Sequence, residues 1–472
     1  MRIGLGTLGR CHPEVLWFCG AMFPAALAMA AFIRTSNLRW QSFETNAFDL
    51  AFFDQIIFNT SRGRWFETSF VSYNFAGQHL EPVLLAYLPA YWLGAGPYFL
   101  MVSQSVVAAL AAIPLYFFAR RLAGSPPFAW AAVVAYLANP YLHRALAFDF
   151  HPEVMATFPV FLAAWAIVAG RGRVAVAATL SVLAFKEDTV FLVLLLAGLM
   201  WSRGLKAEAK VTGVLGVAYA VLAVLVIMPL LRGGESSDLV ARYGYLLPST
   251  SGFGVIVETL RAPLRAAQVA LHPGQLWTAG LFLSVAAALA VRRPLSLIWL
   301  TPGIGLALLS NHEPQRRLEL HYAAELVPAA VILSLLGAQA LRQTVPGPLL
   351  GLGLAGPPVL AMLALNPLGA GHNERPTARH TEALHSALAL IPAGEDVSVS
   401  AQSGLLPRLS QRRQAHEFPG YALNADWVVV DRYGFRSSQS LAAGFDDRLE
   451  EVRHTAELVF SADGVEVFRR ID

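Results

Sequence analysis

The stretch Phe48-Asp49-Leu50-Ala51-Phe52-Phe53-Asp54-Gln55 places two carboxylates five positions apart among aromatic residues. Side chains share a helix face at i, i+3 or i, i+4. This spacing therefore sends one aspartate toward a cavity and the other elsewhere. A carboxylate amid apolar rings is costly unless it is paired or used. Used, it is a general base; the plain alternative is a helix cap or an ion pair with Arg62 or Arg64. His79-Leu80-Glu81-Pro82 and Asp149-Phe150-His151-Pro152-Glu153 each set a histidine and carboxylates just before an apolar run. Such groups ligate metals or bind polar substrates, yet two separate pairs do not make a metal site, and solvated helix caps account for them too. Lys186-Glu187-Asp188 interrupts a long apolar run, where the plain reading is an internal Lys–carboxylate pair closing a turn. Arg316, Arg317, His321 and Tyr322 gather before another run. There is no P-loop, glycine-rich dinucleotide fingerprint, metal-type Cys/His spacing or Gly-x-Ser-x-Gly, so soluble-enzyme chemistry has no obvious entry. No cofactor is predicted, and a divalent metal lacks a clear ligand set.

The elements that must position these groups are membrane spans. Of 472 residues, 56% are hydrophobic and only 14% charged, against about 25% charged in soluble domains. Mean hydropathy is +0.50. Disorder is excluded, and Cys11 and Cys19 alone make no disulfide scaffold. A net charge of +3 gives no case for a nucleic-acid partner. Nearly charge-free runs occupy 15–33, 97–119, 127–142, 154–170, 211–231, 275–291, 294–311, 326–341 and 345–366. The run 174–202, broken by Lys186-Glu187-Asp188, reads as two short spans around a turn, giving an expectation of about eleven spans. The first run is long for a signal core, so it reads as retained despite the cleavage-like Ala28-Met29-Ala30.

Charge supports this parity. With a cytoplasmic N-terminus, Arg2, Arg10, Arg120, Arg121, Arg171, Arg173, Arg203, Lys206, Lys210, Arg292, Arg293 and Arg342 all fall inside, against the acids Glu14 and Glu208. Reading 174–202 as one span would flip every later loop. From Val174 to Phe185 the helix rises only about 18 Å against a hydrocarbon core of about 30 Å. Lys186 is thus expected below the membrane surface, where charged backbone turns line a wet cavity or lie buried in protein.

The same parity puts 34–96, 143–153, 232–274 and 312–325 outside, with 80–93 an interfacial helix and 253–270 a loop helix. The chain divides into a transmembrane domain, 1–371, and a polar C-terminal α/β domain, 372–472, also outside and about large enough for its own core. Helices are expected at 377–390 and 436–450, strands at 397–400 and 425–431, and a hairpin from 457–460 and 465–469. The fold class is an all-α polytopic membrane protein with a small exterior α/β domain, in the plasma membrane.

Several motifs keep a recognisable order: Asp49 to Gln55, His79-Leu80-Glu81-Pro82, Arg120-Arg121, Asp149-Phe150-His151, Lys186-Glu187-Asp188 and His321-Tyr322. The tail adds Ile391-Pro392, Val397-Ser398-Val399-Ser400, Leu405 to Ser410, Phe418-Pro419 and Ala425 to Asp431. From about residue 45 to 432 the chain resembles the membrane family called domain of unknown function 2079. That family in turn resembles the GT-C glycosyltransferases in its first span, long exterior loop with a catalytic acid, and exterior tail. This second likeness is one of architecture.

The resemblance implies sugar transfer from a polyprenyl-phosphate donor in the membrane to an envelope glycan, lipid or protein acceptor. It assigns the base to Asp49, with Asp54 as the alternative. Lys186, Arg316, Arg317 and His321 would meet the phosphate, and His79, Glu81, Asp149 and His151 would line the sugar or acceptor cavity. Glu187, Asp188 and Tyr322 belong to the same substrate-binding set. The acid motif departs from the Asp-Glu pair typical of the aminoarabinose and mannose enzymes, which leaves the base and any metal open. Buried charge also fits a transporter or lipid flippase, although no inverted repeat is visible. A scaffold presenting the tail would give the membrane charges no reason to converge.

Overall fold

The first helix, Pro13–Gln41, runs 29 residues and passes Ala28-Met29-Ala30 without a break. It opens a computed structural model that describes residues 13–236, 238–246, 257, 261–365, 376–434, 436, 437, 440, 441 and 443–471. Among the described residues, four helices are long and apolar enough to cross a membrane: Glu14–Gln41, Pro97–Ala123, Lys206–Arg232 and Gly347–Leu365. Shorter apolar helices include Pro126–Leu137, Pro152–Val168, Gly172–Ala184, Pro294–Leu308 and Leu326–Leu341. Against the expectation of about eleven spans, four helices among the described residues reach spanning length, and shorter apolar helices occupy several of the other runs. Phe23, Val214, Leu230 and Leu360 stand exposed on the long helices, an outward apolar surface that suits lipid. Leu326–Leu341, by contrast, is buried along most of its length.

The run around Lys186 doubles back. Helix Gly172–Ser181 and the short turn Val182–Ala184 are followed by an extended Lys186 (φ −173°, ψ 155°) and helix Val190–Ser202. A straight helical path would carry Gly172 and Glu208 about 54 Å apart. Instead, Gly172 packs directly against the Glu208 side chain. The chain therefore makes two half-length helices around a turn, as the interrupted run suggested.

The two ends of the bundle differ. At one end Arg120 pairs with Glu14, Gln339 donates to Leu122 O, Arg203 donates to Gln339, and Arg342 lies against Gly124. At the other end Arg39 pairs with Asp149, Arg232 donates to Gly77 O, and Glu187 receives His79. Of the basic residues expected on one side, Arg120, Arg203 and Arg342 come to the first of these ends, and Asp149, His79 and Glu187 among the candidate site residues lie at the other.

Prolines shape the loop that follows the first helix. The stretch 80–93 forms a 3-10 turn, Pro82–Tyr87, and a short helix, Leu88–Trp92, rather than one interfacial helix, since Pro82 and Pro89 each restart the backbone. Ahead of it lies helix Phe52–Ser61.

The tail contains a five-stranded sheet with order β2-β1-β3-β5-β4. The strands are β1 Val399–Ala401, β2 Ala415–Glu417, β3 Trp427–Asp431, β4 Ala456–Ala462 and β5 Val465–Arg470. β1 runs parallel to β2 and β3, and β5 antiparallel to β3 and β4. β2 was not expected; three residues are too few to show a period. Strand alternation splits β3 between two cores. Val428 and Val430 join Phe445, Leu449 and Val452 of helix Phe445–Thr455. Val429 faces Leu384 and Ala387 of helix Ala378–Ala389, together with Phe43, Ala47 and Ala51 from the first loop. One of the tail's cores is therefore shared with the membrane part. Within the helix expected at 436–450, Ser440 and Leu441 are helical, and helix Phe445–Thr455 begins behind Gly444 in the left-handed region and runs past the expected end. Of the helix expected at 253–270, the described residues 257 and 261 are helical, and a helix runs from Pro263 to Ala270. The domain boundary at 371 and Cys11 lie outside the described residues.

Candidate active site

Asp49 sits in an irregular turn, Ala47–Ala51, with φ 94° and ψ −83°. Such a backbone is foreign to a residue bearing a Cβ and costs about 1–3 kcal/mol, so its surroundings must enforce it. Those surroundings are visible. Asp149, fully buried, accepts from Asn46 N at 2.8 Å and Asn46 Nδ2 at 2.9 Å. Its other oxygen meets Arg39 Nη1 at 2.8 Å. From the far side of the turn Ala47 N donates to Ser403 Oγ at 3.0 Å.

The Asp49 carboxylate meets His151: Oδ1 to Nε2 is 3.2 Å, and the Asp49 side chain keeps 27% of its surface exposed. His151 is fixed through its backbone, whose N–H donates to Gln104 Oε1 at 3.0 Å, and its Nδ1 lies 3.3 Å from Asp149 O. Both ring nitrogens face oxygens, so each must donate for both contacts to be hydrogen bonds. His321 stacks on His151 with ring centroids 3.5 Å apart.

His321 opens onto a cavity of about 60 Å³ lined also by Glu153, Lys186, Asp188, Gln315, Tyr322 and Glu325. Lys186 Nζ is 3.2 Å from Glu153 Oε1 and 3.5 Å from Asp188 Oδ2. Glu187 turns the other way. It meets His79 Nδ1 at 3.0 Å and accepts from Leu80 N at 3.0 Å, pinning the His79-Leu80-Glu81-Pro82 loop to the Lys186 turn. Glu81 is buried, and that burial, together with the charges of Glu153, Glu187 and Asp188, pushes its carboxyl well above the usual carboxylate range. Buried Glu81 Oε2 and Glu153 Oε2 have no hydrogen-bond partner among the described residues. The cavity is thus oversupplied with carboxylate. Among the described residues, no group of three or more His, Cys, Asp or Glu side chains could hold a metal ion.

Lys186, Asp188, His321 and Tyr322 line the cavity. Asp49 adjoins it through His151, which stacks on His321, and Glu187 holds His79 behind the Lys186 turn, with Glu81 buried nearby. Asp149 stands apart as the anchor of Asn46. Asp54 is elsewhere: fully buried, it accepts from Tyr91 Oη at 2.6 Å, Ser410 Oγ at 2.7 Å and Gln411 Nε2 at 3.2 Å. Burial pushes its carboxyl up to about 6 although all three donors pull the other way. Arg317 is exposed and pairs with Glu313 at 2.6 Å, and neither it nor Arg316 lines the cavity.

Sequence reading did not single out Arg242, Arg39, Glu325 or Ser403. Arg242 lies at the cavity's rim. It donates to Gln315 Oε1 at 2.8 Å, sits over the Tyr322 ring at 5.6 Å, and has no carboxylate partner among the described residues. Asn311 staples its segment, donating from its backbone to Arg242 O at 3.0 Å. No local pattern marks Arg242. Glu325 could have been found, since it directly precedes the apolar helix Leu326–Leu341 much as Glu153 precedes another.

The sequence profile of a family described as predicted membrane protein, DUF2079, matches residues 39–467. The chain belongs to that family. No curated protein matches the sequence. The fold is like that of ArnT from Cupriavidus metallidurans in the apo state, with a TM-score of 0.50, 12% identity and coverage of 95% of this chain and 97% of that one. The structure of the same protein bound to undecaprenyl phosphate gives a TM-score of 0.48 at 12% identity, covering 98% and 99%. The Archaeoglobus fulgidus oligosaccharyltransferase, in complex with Zn and sulfate, gives 0.40 at 13% identity, covering 95% of this chain and 73% of that chain. At such identities the likeness is one of fold.

Proposed function

We propose that this member of the DUF2079 family is a membrane glycosyltransferase that moves a sugar from a polyprenyl-phosphate donor to an envelope acceptor by inverting displacement. The observation that carries the reading is the pairing of a strained, partly exposed Asp49 with His151 beside a buried charged cavity. The ArnT-like fold supports it. Asp49 takes the proton of an acceptor hydroxyl or amine, which attacks the anomeric carbon opposite the phosphate. The bond from that carbon to the phosphate oxygen breaks, and a single displacement inverts the centre. His151 orients the base. Charge grows on the departing phosphate, and Arg242, which has no described carboxylate partner, meets it. Lys186, held between Glu153 and Asp188, orders the cavity rather than meeting phosphate directly.

The site faces the exterior of the plasma membrane in this reading, because the clustered basic end suits the cytoplasm. The N-terminus is then cytoplasmic, and the domain from about residue 372 is exterior. Cysteine labelling in intact cells tests the orientation at positions 206 and 440. The decisive experiment is reconstitution of the purified protein with polyprenyl-phosphate sugars and a panel of acceptors. Transfer that requires Asp49 supports the reading. No transfer with any donor, together with a solute flux that depends on Lys186, would instead make the protein a transporter, the function to which a buried charge between half-length helices also lends itself.

A further inference from the structure

We infer that the C-terminal tail is a working part of the site, and that Ser403 is a positioning residue for Asp49. The inference rests on the proposed role of Asp49 as base.

The turn that carries Asp49 is gripped from two sides. The membrane part holds Asn46 through Asp149 and Arg39. The tail holds the next residue, because the Ser403 hydroxyl accepts from Ala47 N at 3.0 Å with both residues buried. Ser403 follows the carboxyl end of β1, so the sheet aims this hydroxyl at the turn. Gly404 comes so close to the Phe43 carbonyl that a Cβ would collide with it. Arg408 lies over Phe43 at 3.7 Å and over Trp40 at 4.0 Å. Ala47 and Ala51 complete a core otherwise built largely from tail residues. Further contacts fix the tail relative to this turn. Gln55 Nε2 donates to Arg412 O at 3.0 Å, and Ser69 Oγ donates to Ala415 O at 2.7 Å.

A left-handed aspartate relaxes when one of its restraints goes. Two distant parts of the chain supply those restraints. Asp149 sets where the turn begins, and Ser403, 356 positions from Ala47, sets how it enters Asp49. Loss of the Ser403 hydroxyl should let the Asp49 carboxylate drift from His151 while leaving Arg242 undisturbed. Misplacement of about 1 Å is enough to cost up to about 10²-fold in rate.

The test uses the full-length protein in nanodiscs. Ser403→Ala should lower kcat roughly 10- to 100-fold with KM for the lipid-linked donor unchanged, and Ser403→Thr, which keeps the hydroxyl, should recover most of it. In an Asp49→Asn background, Ser403→Ala should have no further effect. Independently of any activity, amide exchange over residues 46–51 should quicken in Ser403→Ala while exchange in helix Leu326–Leu341 stays unchanged. Unchanged exchange over 46–51 would overturn the inference, as would a further loss of rate on the Asp49→Asn background. A wild type that transfers no sugar would remove the base role of Asp49, and with it the positioning role of Ser403. Quickened exchange would then show only that Ser403 holds the turn.

Discussion

Two polar regions are buried at the same end of this protein, and they are built on opposite principles. Around Asp54 the carboxylate takes three hydrogen bonds from Tyr91, Ser410 and Gln411. Around Lys186 the acids outnumber the cations, and buried oxygens of Glu81 and Glu153 find no described partner. A satisfied buried network rigidifies a joint, whereas an unsatisfied one is costly in a finished fold. The difference teaches that Asp54 joins tail to loop, whereas the region near Lys186 keeps buried oxygens without a described partner, which is what the proposed function asks of a binding site. Asp49 and Asp54 lie one and a half helical turns apart in sequence and fall on the two sides of this divide.

The sharpest way to break the comparison is to exchange the expected roles. Asp49→Asn should cut transfer by about 10²–10⁴-fold and leave the melting temperature nearly unchanged, because Asp49 is partly exposed and its main partner is His151. Asp54→Ala should do the reverse, loosening the tail by about 1.5–3 kcal/mol in chemical denaturation while the anchored cavity residues stay in place. If Asp54→Ala abolishes transfer with unchanged stability, the two aspartates have been assigned the wrong way round.

On stability alone the larger effect belongs to Lys186→Ala. It leaves Glu153 and Asp188 facing each other, and breaking such a buried pair costs about 3–5 kcal/mol. Lower expression and a lower melting temperature should follow. Lys186→Ala combined with Glu153→Gln should recover part of the loss, which a double-mutant cycle measures.

Arg242→Ala should lower kcat/KM for the donor by roughly 10- to 100-fold, equivalent to one charge-assisted contact of about 1.5–3 kcal/mol. Arg317→Ala should change it little, because Arg317 sits exposed in a surface pair with Glu313, worth about 0–1 kcal/mol. Equal effects of the two substitutions would move the phosphate away from the cavity rim.

The smallest effect concerns a third polar group, His380, held 3.0 Å from Asp431 and 3.1 Å from Asp463 in the tail. Burial opposes its charge, but the hydrogen bond and charge of Asp431, with help from Asp463, raise its pKa above the usual 6.5. A raised histidine stabilises fully below its unfolded pKa, and that stabilisation is lost as pH rises through the folded value. The tail should therefore melt at lower temperature as pH climbs above about 6.5, and His380→Ala should flatten the profile. A melting temperature that rises with pH over this range would contradict the pairing.

Much of the architecture was already written in local pattern. Runs of apolar residues marked the helices because lipid and a helical core both reward continuous hydrophobicity. The break at Lys186 was legible because three charges cannot sit in the middle of an apolar helix at little cost. Basic residues at 120, 203 and 342 announced a shared end, and the structure brings their helices together there. The strand Trp427–Asp431 stood out by its β-branched run. Boundaries were softer where prolines or a left-handed glycine restart the chain, as at Pro82, Pro89 and Gly444.

What only the tertiary structure decided is which charges meet. Asp49 and Asp54 look alike in sequence, each a carboxylate among phenylalanines, and no local rule says which one pairs with His151. That depends on Asp149, His151 and Ser403, which are about 100 to 356 positions away from this turn. Arg316 and Arg317 look as well suited to a phosphate as Arg242, yet Asn311 and Gln315 hold Arg242 at the rim. Hydropathy is a property of each residue and survives in the sequence. Partnership between buried charges is a property of pairs, and long chain paths must close before any such pair exists.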